Sequence, residues 1–96
     1  MLPHVAQVEL TQHLPTLFPQ LRGGPLQIEA TTVAELVAAL DGIAPGVAFY
    51  ICDERGCLRR HVNIFVDKEL IRDRRGLTDA VPAGGQVHIL QALSGG

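Results

Sequence analysis

Strict alternation of apolar and polar residues recurs four times along this chain and gives way once to helical spacing, which leaves few folds open. Residues 5–11 place Ala6, Val8 and Leu10 on one side and Val5, Gln7, Glu9 and Thr11 on the other. Residues 25–30 set Leu26, Ile28 and Ala30 against Gln27 and Glu29, residues 61–66 set Val62, Ile64 and Val66 against His61, Asn63 and Phe65, and a last alternating run covers 86–93. Between the second and third runs, Thr32 and Glu35 have the spacing of a capping box, and Val33, Leu36, Val37 and Leu40 form one helical face. This predicts a helix over about 33–41, stopped by Gly42. Asp67-Lys68 offers a tight reversal from the third strand into a short one at 69–72. Residues 12–24 contain Pro15, Pro19 and Gly23-Gly24, leaving room for a loop with one turn around 16–21. The continuously apolar stretch 47–52 suits either a buried strand or a helical turn, and residues 73–82 read as irregular.

Two strands, a helix and then further strands put the helix on one face of a mixed sheet, an α+β architecture of two layers. With the first and last strands as neighbours, this is a β-grasp, ubiquitin-like sheet of four to five strands packed on one main helix. Ninety-six residues suffice for one core, so residues 1–93 are expected to form a single domain and 94–96 a mobile tail. Apolar residues make up 47% of the chain and charged ones 19%, the balance of a folded domain. Eight Lys and Arg against ten Asp and Glu leave no positive surplus for a phosphate backbone, so no nucleic acid partner is expected. No apolar run approaches bilayer length, two cysteines make no disulfide framework, and the first residues lack a signal-peptide pattern. The expectation is a cytoplasmic protein with no membrane partner.

The chain ends on Ser94-Gly95-Gly96, directly after the last strand. Glycine loses more backbone entropy on ordering than any other residue, so two of them here serve access rather than stability. From Gln91 to Gly96 the extended reach is about 20 Å, enough to thread a narrow active-site channel. Without Cβ atoms, the α-carboxylate of Gly96 can approach a reacting group closely. That carboxylate, with an ordinary pKa of about 3.5, is ionised and unreactive toward nucleophiles at neutral pH. The chain has no Gly-rich phosphate loop ending in Gly-Lys-Ser/Thr, so it is expected to be no enzyme, to hold no cofactor, and to be activated by a partner that adenylates Gly96. Attack on the acyl-adenylate by sulfide then yields a thiocarboxylate, and attack by an amine yields an amide.

The run from His61 to Gly96, and above all Val62-Asn63-Ile64-Phe65-Val66 followed by Gly95-Gly96, resembles the C-terminal half of the MoaD/ThiS-type ubiquitin-like sulfur carriers. Leu14-Pro15-Thr16-Leu17-Phe18, Gly23-Gly24 and the helix at 32–40 extend the likeness over nearly the whole chain, and the layout is nearest the CysO-like branch that serves cysteine synthesis. Where the family usually has Asn-Gly or Asn-Asp after the third strand, this chain has Asp67-Lys68. The resemblance implies a partner of the ubiquitin-activating type, sulfur installed at Gly96 next to Gly95, and delivery to a sulfur-accepting biosynthetic enzyme for cysteine or cofactor synthesis. The alternatives within reach of the same tail are the small subunit of molybdopterin synthase and a modifier conjugated to lysines. Lys68 is the chain's one lysine, which favours the carrier.

Family members dock through the outer sheet face, which assigns Phe65, His88, Leu90, Ala92 and Ser94 to the partner surface if Val87 and Ile89 face the core. The opposite register would bury Phe65 instead. Cys52, Cys57 and His61 have the spacing C-x4-C-x3-H but lack a fourth zinc ligand, so the cysteines are read as structural. Arg59, Arg60, Arg72, Arg74 and Arg75, interspersed with acids, read as a solvated face, and His4 and His13 as solvated.

Overall fold

The computed structural model describes residues 4–11 and 13–91. Five strands form one mixed sheet: β1 (Val5–Leu10), β2 (Leu26–Glu29), β3 (Val62–Val66), β4 (Glu69–Leu70) and β5 (Gln86–Gln91), in the order β2-β1-β5-β3-β4. The first and last strands are central and parallel, with Val8 opposite Val87 and Leu10 opposite Ile89. All other pairings are antiparallel. This is the β-grasp arrangement that the alternating runs imply.

Three helices cover one face: α1 (His13–Leu17), α2 (Val33–Ile43) and α3 (Val47–Ile51), with a 3-10 turn at Pro19–Leu21 following α1. Ala6, Val8, Ile28, Val62, Ile64, Val87 and Ile89 project from the sheet onto Leu36, Val37, Leu40, Val47 and Ile51, and all are buried. Each alternating run thus turns its apolar side to the helices, because a one-residue slip would exchange the faces and expose the whole set. Thr32 caps α2 by accepting from the Glu35 amide at 3.2 Å. The reciprocal bond of the box is displaced by one residue: the Glu35 carboxylate accepts from the amide and hydroxyl of Thr31, both at 2.7 Å. Those two bonds, led by the hydroxyl, hold the Glu35 carboxyl below its ordinary range.

The helix departs from the sequence expectation at its end. Gly42 lies within α2 rather than stopping it, and the helix runs on to Ile43 with Ala44 as its C-cap. Leu40 and Ala44 are both wholly buried, and their packing carries the chain past a residue that would end an isolated helix. The reversal falls at Gly46, whose φ of +101° is open to glycine at little cost, and Asp41 Oδ1 pins it by accepting from the Gly46 and Ala48 amides at 3.0 Å each. The ambiguous apolar stretch becomes α3, a short helix that buries Val47 and Ile51.

Residues 73–82 hold no regular element but are not loose. Asp73 Oδ1 accepts from the Arg75 and Gly76 amides at 3.1 and 2.9 Å, and Oδ2 from the Thr78 amide and hydroxyl at 3.2 and 2.6 Å. Asp79 accepts from the Arg72 and Asp73 amides at 3.0 and 2.8 Å. The braced loop then supplies the Asp79 and Leu77 carbonyls to the Val33 and Ala34 amides at the start of α2. Two carboxylates therefore do the work of a secondary-structure ladder. Led by the Gly76 amide, these donors lower the Asp73 pKa from 3.8 to about 2.

Gly42→Ala is expected to stabilise the protein by about 0.5–1 kcal/mol, since the residue is helical and an added Cβ meets nothing within 4 Å. Equilibrium urea unfolding measures this, and an unchanged midpoint rules it out. Because the folded pKa of Asp73 lies below its ordinary value, its stabilising contribution is complete above about pH 4 and is lost as pH falls through 2. Asp73→Asn should therefore melt below the parent at pH 7, with the gap closing toward pH 2; a gap that ignores pH would show that the charge contributes nothing.

Candidate functional site

The parallel pairing sends β1 and β5 to the same end of the sheet. There the Thr11 amide donates to the Ile89 carbonyl at 3.1 Å, and the Thr11 hydroxyl accepts from the Gln91 amide at 3.4 Å. Gln91 also pairs with Val62, so β5 is held from both sides up to the last described residue. Gly95, Gly96, Ser94 and Ala92, assigned above to the reactive terminus and the partner surface, lie outside the described residues.

The opposite end of β5 is fixed more tightly. Asp67 and Lys68 take φ values of +50° and +73°, the left-handed pair of a two-residue hairpin turn, and Asp67 bonds Gln86 through both its amide (2.7 Å) and its carboxylate (2.8 Å). Asp tolerates this conformation better than most residues, which suits Asp67 to the first position of the turn, and Lys68 takes the second without glycine. Gly85 directly precedes the strand, and a Cβ on it would stand 2.9 Å from the Pro82 carbonyl oxygen, so the backbone approach there needs glycine.

Phe65, His88 and Leu90 fall together on the outer face, as the register with Val87 and Ile89 inward requires. Phe65 faces His88 directly across the β3–β5 pair, and Leu90 faces Asn63. Leu90 is 41% exposed and Phe65 is half-buried against its neighbours on that face. His88 Nε2 stands 3.0 Å from Glu9 Oε2 on β1, an exposed pair of small energetic weight.

Sequence reasoning missed Leu70, which lies opposite Phe65 and is 50% exposed. The signal was present: a two-residue reversal at Asp67-Lys68 pairs Val66 with Glu69 and Phe65 with Leu70 by counting alone. Leu70, Phe65, His88 and Glu9 therefore form one row across four strands, with Leu90 beside it toward the end where β5 stops. An exposed apolar strip edged by Asn63, Glu9 and Gln7 has the composition of a protein contact surface.

The other candidate groups are structural. Cys52 is buried, and burial pushes its thiol pKa up, away from the reactive thiolate. Cys57 is half-buried, and among the described residues no three His, Cys, Asp or Glu side chains are grouped as metal ligands would be. Two of the arginines read as a solvated face are instead tied to the backbone. Arg74 donates from Nη2 to the Arg59 and Val62 carbonyls at 2.8 and 2.9 Å and from Nη1 to Asn63 Oδ1 at 3.2 Å, and Arg59 donates to the Phe49 carbonyl at 2.7 Å. His4 likewise is not simply solvated, because its Nε2 bonds the Val81 carbonyl. In each case the partner is a carbonyl distant in sequence, which local pattern does not reveal.

A family model described as the ThiS family matches residues 20–96. Sulfur carrier protein CysO of Mycobacterium tuberculosis (strain ATCC 25618 / H37Rv) is 31% identical over 93 residues, spanning 93% of this chain and 100% of that protein. A chain of the Amycolatopsis orientalis BexX/CysO complex superposes with a TM-score of 0.81 at 25% identity, over 95% of this chain and 99% of that one. Small archaeal modifier protein 1 of Methanosarcina acetivorans shares the fold, with a TM-score of 0.78 at 20% identity over 100% of both chains. The architecture, the extent of the match and its continuation to Gly96 agree: the chain belongs to the ThiS family, among the small ubiquitin-like sulfur carriers.

Proposed function

We propose that this protein carries sulfur on its C-terminus, with Gly96 cycling between carboxylate and thiocarboxylate. The observation that supports this most directly is the anchoring of β5 as an interior strand up to Gln91, five residues before a carboxylate flanked only by glycine. From Gln91 to Gly96 the chain spans at most about 20 Å, so the reacting group works within a fixed maximum distance of a rigid body. A partner enzyme of the ubiquitin-activating type adenylates the carboxylate with ATP, releasing pyrophosphate. Sulfide then attacks the acyl carbon, AMP leaves, and the thiocarboxylate passes to a biosynthetic enzyme of cysteine or cofactor synthesis.

The row Leu70, Phe65 and His88, with Leu90, is the surface through which partner enzymes hold the carrier, and Ala92 and Ser94, which lie outside the described residues, are assigned to the same contact. A CysO chain occurs in a complex with BexX in Amycolatopsis orientalis, which supports the view that this chain also acts by docking on larger enzymes. The protein itself performs no catalysis in this scheme, and the work is done in the cytoplasm.

Incubation with the adenylating enzyme, ATP and a sulfide donor should raise the intact mass by the difference between one sulfur and one oxygen atom, and deletion of Gly96 should abolish the change. Covalent adducts on lysines would point to a protein modifier instead, and a stable assembly with a molybdopterin synthase large subunit to the synthase role. Leu90→Glu is expected to weaken the complex with the adenylating enzyme by about tenfold or more by calorimetry, as charging the centre of an apolar contact does. Unaltered affinity would move the docking surface elsewhere.

A further inference from the structure

Three features converge where β5 ends, and docking through the outer sheet face uses none of them. On the helix side, Phe49, Tyr50, Arg59, His61 and Gln91 line one groove. Gln91 stands opposite Val62 on the inward face of β5, and its Oε1 is buried and accepts no hydrogen bond from the described residues. A buried acceptor without a donor costs stability, so its persistence at this position calls for an explanation.

The walls of the groove add to the case. Phe49 is 60% exposed and Tyr50 42%, although large rings are the side chains a small domain has most reason to bury. Both are held in place. The Arg59 guanidinium lies over the Phe49 ring, 5.1 Å from its centroid, and its Nε is tied to the Phe49 carbonyl. Phe18 packs edge-on against Tyr50, with centroids 5.4 Å apart. Rigid aromatic surface loses little entropy when a partner covers it.

Arginines edge this end of the molecule: Arg59 lines the groove and Arg60 lines the recess that adjoins it. Arg59, Arg60 and His61 follow one another, and Arg60 and His61 are exposed. Asp53 is the acid of the adjoining recess, and its Oδ1 is already engaged with the Arg55 and Cys57 amides. A basic segment would be repelled here. A free inorganic anion would use the arginines but not the rings. A peptide segment with a carboxylate for the arginines and an N–H or O–H for Gln91 Oε1, met as that side chain turns toward the groove, satisfies all three features.

We infer that this groove receives an acidic loop of the enzyme that engages the C-terminus, so that the root of the tail is gripped from the helix side while the outer sheet face is held from the other. The inference rests on the carrier function proposed above. It adds Phe49, Tyr50, Arg60 and Gln91 to the recognition surface, and it gives the basic cluster an acidic partner.

The test is steady-state adenylation of the full chain by the ubiquitin-activating-type enzyme of the same organism, followed by ATP–pyrophosphate exchange, for Phe49→Ala, Arg60→Glu and Gln91→Met. Each should raise KM for the carrier by about tenfold with kcat changed less than about twofold, and the Arg60→Glu effect should shrink as salt is added. Gln91→Met should also raise the melting temperature of the free protein, because it removes the unpartnered acceptor, so its weaker recognition would not be a folding defect. Unchanged KM in all three variants, with the parent adenylated normally, overturns the inference and leaves the carrier function standing. Failure of the parent to be adenylated overturns both. If removal of residues 92–96 shifts the Phe49 and Tyr50 ring resonances of the isolated protein, the groove is filled by the chain's own end, and the inference also falls.

Discussion

The parallel contact between β1 and β5 is the constraint on which the rest of the molecule depends. It joins residues near the two ends of the chain, so almost the whole sequence is closed into one loop before the contact forms, and nothing local rewards that closure. Without it the sheet would be two separate pieces, β1 with β2 and β5 with β3 and β4, each exposing an unpaired edge where the two now meet. With it, both central strands are paired on either side, Val8 and Val87 meet in the core, and β5 runs toward the end where β1 stops. The core and the course of β5 come from one contact.

The two ends of β5 are held very differently. At its start the Gln86 amide and carbonyl are both taken by Asp67, the Gly84 amide donates to the Val5 carbonyl, and the Gly85 carbonyl accepts from Gln7. At its finish, among the described residues, the bonds thin to the ladder itself and one long contact from the Gln91 amide to the Thr11 hydroxyl. Hydrogen bonds that fix direction are thus spent at the pole away from Gln91. A carrier handed between enzymes benefits from this gradation, because a body that does not deform sets where its terminus can reach.

The strands were legible because each carries its own signal. Alternation with a buried side is a local pattern, and it survives into β1, β2, β3 and β5 almost residue for residue. The outer-face placement of Phe65, His88 and Leu90 followed from parity in the same way. What escaped was non-local. Gly42 reads as a stop because glycine ends isolated helices, yet α2 continues through it on the burial of Leu40 and Ala44. Residues 73–82 read as irregular because no periodicity announces two aspartates whose four oxygens collect backbone amides. The roles of Arg74, Arg59 and His4 depend on carbonyls 10 to 77 positions away, and the orphaned oxygen of Gln91 is visible only once α3 lies over the end of the sheet.

Lys68 sits at the crest of the turn that launches β4, on the pole of the sheet remote from Gln91. Being the sole lysine, it makes the ε-amine a unique handle on that pole. A fluorophore or solid support attached there sits at the pole of the sheet opposite Gln91, and every molecule is held by the same point of the fold.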